Sequence, residues 1–119
     1  MKSPSETALR FFVQGRIWID SEKGPFLGYG RIELLKKIAE YGSITKAAKS
    51  MNMAYRQAWH LIESMNAKAE NPLVLTSTGG KGGGGATLTE EGIKMIHAFE
   101  MLESEFASFL KMKSEGLNI

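Results

Sequence analysis

The residues of this 119-residue chain whose types and spacing invite chemistry lie in one short stretch, Thr76 to Thr87, reading TSTGGKGGGGAT. One lysine, Lys81, stands among six glycines, the make-up of a loop that wraps a phosphate in backbone N–H groups. The phosphate-loop pattern G-x-x-x-x-G-K-[S/T] asks for glycine at 75 and Ser or Thr at 82, with a helix opening at once. Leu75 and Gly82 occupy those places and no helical pattern begins there, so that chemistry is excluded. The dinucleotide pattern G-x-G-x-x-G fits the run only by accident, because no strand-loop-helix unit surrounds it. Other chemistry is as poorly supplied. There is no cysteine, and His60 and His97 are the only histidines, with no carboxylate cluster to join them into a metal site. No paired-carboxylate motif stands out, nor a nucleophile with an identifiable base, which argues against an enzyme. No cofactor is expected.

What the glycines do is decided by the elements on either side. Leu73 to Thr76 is short and β-prone, and Ala86 to Leu88 is its return strand. The glycines then form a hairpin tip whose backbone can lie close to another molecule. A flexible linker is the competing reading, disfavoured because strands on both sides are near enough to pair. Upstream, Ile32, Leu35, Ile38 and Ala39 mark a helical face ending at Tyr41-Gly42, with Gly42 suited to a left-handed cap. Ser43 is placed to N-cap a second helix, in which Ile44, Ala47, Ala48 and Met51 fall at i, i+3, i+4 and i+7. After Asn52-Met53 a third helix repeats that spacing with Ala58, Leu61, Ile62 and Met65, and Pro72 ends the pattern. Two short amphipathic helices with a three- or four-residue break describe a helix-turn-helix, although an ordinary αα-hairpin shares the pattern. Followed by a hairpin, a helix-turn-helix is a winged helix.

Two further elements frame this centre. Val13, Ile17 and Ile19 lie on one side of a two-residue alternation over 12–19, which reads as a strand. Ser21 to Pro25 is turn chemistry, and Phe26-Leu27 is a short partner strand. At the other end, Thr89 is placed to N-cap a long helix with Glu90 and Glu91 in its first turn. Along it Met95, Phe99, Leu102, Phe106 and Phe109 follow at steps of 4, 3, 4 and 3, a heptad-like stripe. Such a stripe packs on its own core or on a second copy of the chain. A helix of ~35 Å outruns so small a core, so a homodimer is expected. The expected fold class is mainly α with small β (α+β): an N-terminal strand and hairpin extension over 1–27, a winged helix-turn-helix over 28–92, and a dimerisation helix over 93–119.

Charge is divided along the chain. Residues 31–88 carry eight Lys/Arg against four acids, and residues 89–119 carry three against six. The basic centre suits a polyanion and the acidic tail does not. A winged helix places its recognition helix in a major groove of double-stranded DNA and its wing on the backbone or adjacent minor groove. With Ala58, Leu61, Ile62 and Met65 facing inward, 100° per residue turns Arg56, His60 and Glu63 outward and leaves Tyr55, Gln57 and Trp59 on the flanks. Arg56 suits a bidentate contact with guanine, and Gln57 suits adenine. His60 reaches a base or a phosphate, or is plainly exposed; Tyr55 and Trp59, as flanking aromatics, more often pack. Ser43 and Thr45 can donate to a phosphate beside outward Lys46 and Lys49. On the wing, Thr78 and Lys81 are the candidates for backbone contact.

GSITKAAKSMNMAYRQAWHLIESMN, followed by LVLTSTGGKGGGGATLTEEG, resembles the N-terminal DNA-binding domain of the molybdate-responsive ModE-type regulators. That domain is itself similar to the winged helix of LysR-type regulators. The resemblance runs from about Leu27 to Leu102, and the glycine-lysine wing before Leu88-Thr89 is its most specific part. It implies a dimeric transcriptional regulator that binds palindromic operator DNA. In those regulators a separate oxyanion-binding domain follows the winged helix, whereas this sequence stops at Ile119. Molybdate sensing is therefore not expected to carry over, and no small-molecule effector is expected on this chain. The strand-like start also departs from the helical start of the best-known members. A winged helix that makes protein contacts, partnering a separate sensor chain, is the alternative. No apolar run nears the ~20 residues that span a bilayer and the polar opening is no signal peptide, so a cytoplasmic, membrane-free protein is expected.

Overall fold

Residues 9–77 and 85–119 are described by a computed structural model. In chain order the elements are strands β1 (Ile19–Ser21) and β2 (Gly24–Leu27), helices α1 (Tyr29–Tyr41), α2 (Ile44–Ser50) and α3 (Tyr55–Lys68), strands β3 (Val74–Thr76) and β4 (Ala86–Leu88), and helix α4 (Glu90–Glu115). The arrangement is α+β, a helix-turn-helix followed by a hairpin.

Local chemistry sets the helix ends. α1 stops where Gly42 turns left-handed at φ 64°, its N–H donating to the Ile38 carbonyl. Ser43 follows at once, extended, and its hydroxyl oxygen accepts from the Lys46 N–H, capping α2. α2 ends in a Schellman motif. Asn52 adopts φ 53°, the Met53 N–H donates back to the Ala48 carbonyl, and the Asn52 N–H donates to the Lys49 carbonyl. This is the turn of the helix-turn-helix. α4 begins at Thr89, whose hydroxyl oxygen accepts from the Gly92 N–H, with Glu90 and Glu91 in the first turn.

One core joins these elements. Ile32, Leu34, Leu35 and Ile38 of α1 meet Ala47 and Ala48 of α2, Ala58, Ile62 and Met65 of α3, and Ile96 and Phe99 of α4. Within α1 the fourth buried residue is Leu34 and not Ala39, which is exposed. The helix also starts before the apolar pattern does, at Tyr29. The alanines sit at 0–1% exposure, and their lack of bulk lets α2 and α3 cross closely. Val74 pairs with Leu88 and Thr76 with Ala86 in the second hairpin, while Ile19 pairs with Leu27 in the first. Gly92 is required by packing, since a Cβ there would lie 2.5 Å from the Leu73 carbonyl oxygen and from a Leu88 methyl.

The strand expected over 12–19 is corrected: regular pairing begins only at Ile19, and 9–18 is neither helix nor strand. Its alternation has another cause. Val13, Ile17 and Ile19 are half-buried, but the segment runs along a helix. The Val13 N–H donates to the Ser114 hydroxyl, and a Cβ on Gly15 would lie 3.1 Å from the Phe106 ring. A helix offers no ladder to pair with, so no strand forms.

α4 also needs one correction to its stripe. Phe99 is wholly buried in the chain's own core and Met95 packs against that core. Beyond them Leu102 and Phe109 are 43% and 46% exposed, and Phe106 is half-covered by the segment around Gly15. Phe106 and Phe109 stack with ring centroids 6.2 Å apart. Lys36 of α1 reaches Glu100 of α4 at 3.1 Å. That hydrogen bond, with the charge of Glu33, raises the Lys36 pKa above its ordinary value. Among the described residues no helix is long and apolar enough to cross a membrane.

Candidate nucleic-acid interface

The side chains that could meet a polyanion are held by the outward face of α3 and the start of α2. With Ala58, Ile62 and Met65 buried, Tyr55, Arg56, Gln57 and His60 are all exposed. Tyr55 is 53% exposed, so its ring is not core packing, whereas Trp59 is half-buried against the core. His60 stands 3.9 Å from Glu63 on the same helix. Thr45, Lys46 and Lys49 are exposed on α2. Ser43 is half-buried, with its oxygen engaged by the Lys46 N–H and its own proton still able to donate. Among the described residues Lys46, Lys49 and Arg56 pair with no carboxylate. Their charges therefore face outward uncompensated. Thr78 and Lys81 lie outside the described residues.

The base of the wing is tied to both helices of the helix-turn-helix. The Ala86 N–H donates to the Gly42 carbonyl, anchoring β4 at the start of α2. Ser77 extends the ladder past β3, its N–H donating to the Gly85 carbonyl and its hydroxyl accepting from the Gly85 N–H. On the other side Asn66 of α3 clamps β3. Its Nδ2 donates to the Val74 carbonyl at 3.0 Å, and its Oδ1 accepts from the Leu73 N–H at 2.8 Å and the Val74 N–H at 3.3 Å. Sequence reasoning missed Asn66. The one signal for it was an amide placed late in a helix, just ahead of a proline and a short strand.

The arrangement offers cations and amides at a surface rather than a pocket for a reaction. Among the described residues no group of His, Asp or Glu could hold a metal ion. The result is an outward helix face with arginine, glutamine and histidine, next to a braced hairpin.

Comparison with known proteins bears on the same segment. The model of the bacterial regulatory helix-turn-helix proteins of the lysR family matches residues 30–93. The Molybdenum transport protein ModE of Azotobacter vinelandii is 41% identical over 112 residues, 94% of this chain and 41% of that protein. The DNA-binding transcriptional dual regulator ModE of Escherichia coli (strain K12) is 49% identical over 72 residues, 60% of this chain and 28% of the regulator. The Molybdenum-pterin-binding protein MopB of Rhodobacter capsulatus is 38% identical over 96 residues, 81% of this chain and 36% of that protein. The chain thus spans less than half the length of these relatives. The family match covers α1 to the start of α4, the elements that carry the exposed face and the hairpin. This chain belongs to the lysR family of bacterial regulatory helix-turn-helix proteins.

Proposed function

We propose that the chain binds double-stranded DNA as part of a transcriptional regulator, with α3 in the major groove and the glycine wing against the backbone. The observation that carries this is the exposed, unpaired Arg56 beside Gln57 and His60, on a helix braced against the hairpin by Asn66. The relative from Escherichia coli, 49% identical over 72 residues, is named a DNA-binding transcriptional dual regulator. Arg56 and Gln57 read base edges, while Thr45, Lys46, Lys81 and Thr78 hold phosphates. Titration of duplex DNA at increasing salt tests the proposal. Each phosphate contact adds about 0.9 to the slope of log K against log salt. Steep loss of affinity is expected, and affinity unchanged by salt overturns it.

The same proposal includes a homodimer formed through the outer half of α4. Met101, Leu102, Phe109 and Met112 are exposed there, close to a groove between 15–18 and the helix lined by Trp18, Tyr29, Phe106 and Leu110. An apolar surface of that extent is large for a lone protein. A second copy, presenting the same face about a two-fold axis, covers it and sets two α3 helices over successive major grooves. A palindromic operator follows.

A further inference from the structure

A second cluster of cations lies on the flank of α3 away from the wing. Taking the buried Ala58, Ile62 and Met65 as the inner face, Asn66 falls on one flank, toward β3. Gln57, Ser64 and Lys68 fall on the opposite flank. There Arg31, from the first turn of α1, donates through Nη1 to the Ser64 hydroxyl oxygen at 3.0 Å, and Lys68 donates through Nζ to the same oxygen at 2.6 Å. The two cationic nitrogens are thus at most about 5.6 Å apart, the sum of those two bonds. The turn between β1 and β2 closes one side, where a Cβ on Gly24 would lie 3.9 Å from the Lys68 Nζ.

Two like charges held this close are unfavourable unless an anion relieves them. Among the described residues neither Arg31 nor Lys68 pairs with a carboxylate, Asp20 of β1 and Glu22 of the adjoining turn included. Partial burial lowers the pKa of Arg31, as expected for a guanidinium partly withdrawn from water with no anion beside it. The Ser64 oxygen accepts from both cations, and its own proton remains able to donate outward. Two donors of positive charge and one neutral hydroxyl, all half-buried, match the tetrahedral oxygens of a phosphate.

We propose that Arg31, Ser64 and Lys68 form a backbone clamp that takes one DNA phosphate on the side of α3 opposite the wing. This rests on the DNA-binding function proposed above. A helix lying in a major groove about 12 Å wide has a sugar-phosphate strand along each flank. The wing serves one strand, and the clamp serves the other.

Binding of the full chain to a mixed-sequence duplex over a range of salt concentrations tests this. Lys68→Ala is expected to lower the salt slope by about 0.9, one phosphate contact. Ser64→Glu places a carboxylate between both cations, so it is expected to lower the slope by more while keeping or raising the melting temperature. Lys111→Ala, an exposed lysine on α4, is the control expected to leave the slope unchanged. If Ser64→Glu melts below the wild type, Lys68→Ala decides alone. Wild-type slopes in both variants overturn the clamp and leave DNA binding standing; a wild-type chain with no affinity for the duplex overturns both. Inorganic phosphate that protects the wild type but not Lys68→Ala from heat, with equal DNA slopes, marks a free-anion site and also overturns the clamp.

Discussion

Arg56 and Lys81 are both basic, yet the contacts proposed for them call for different effects. Arg56 projects from the first turns of a helix whose other side is core, where a guanidinium fork is placed for the base contact proposed above. Arg56→Ala is expected to relax sequence preference and cost about 1–3 kcal/mol at its base pair. Lys81→Ala, at the proposed phosphate contact, is expected to weaken all sequences about equally. Competition between an operator and single-base variants of it measures the difference, and loss of preference in Lys81→Ala alone would reverse the assignment. Asn66 acts on stability instead. Asn66→Asp removes the donor to the Val74 carbonyl and turns a charged oxygen toward it, so urea unfolding is expected to lose about 1–3 kcal/mol. Arg56 was legible in the sequence because helical geometry alone turns it outward. Asn66 was not, because its partners are backbone groups beyond Pro72, and an amide ahead of a proline and a short strand does not by itself name them.

At the scale of elements, the helices were readable because each carries its own period and its own ends. Gly42, Ser43 and Thr89 act where their types predict. The turn between α2 and α3 was legible as a break but not as a Schellman motif, since asparagine is only one of the residues that tolerate a positive φ. Asn52→Ala is expected to cost about 1–2 kcal/mol in a thermal melt, while Asn52→Gly costs none of that strain. Gly92→Ala tests two opposed effects. Alanine favours a helix over glycine by about 1 kcal/mol. Here, however, the new methyl meets a backbone carbonyl that cannot swing aside, and overpacking of about 1–3 kcal/mol wins. A more stable Gly92→Ala would show that β3 yields. The stretch 12–19 was misread for a physical reason: alternation reports which residues are covered, not whether a strand or a helix covers them.

Across the whole molecule the heptad-like stripe was legible, but the point where the core ends was not. Counting cannot place that boundary between Phe99 and Leu102; the packing of α1 and α4 does. The two sides of it should respond differently to a charge. Phe109→Glu is expected to stay folded and sediment as a monomer at micromolar concentration, while Phe99→Glu loses the fold. A dimeric Phe109→Glu would place the interface elsewhere. The Lys36–Glu100 tie is exposed and adds little to this balance. Its contribution is present below the ordinary lysine pKa and fades only as pH rises through the raised value. α4 itself runs 26 residues with no proline, and with no glycine from Ile93 to Glu115. It is a single stiff strut of about 39 Å, rooted in the core at one end and carrying the exposed Leu102, Phe109 and Met112 toward the other. In the proposed dimer the distance between the two α3 helices would then be a property of the strut, and the protein would work as a gauge with one setting. Under that proposal, half-sites moved apart by half a helical turn would present one groove to the wrong side, and the strut could not bend to follow it.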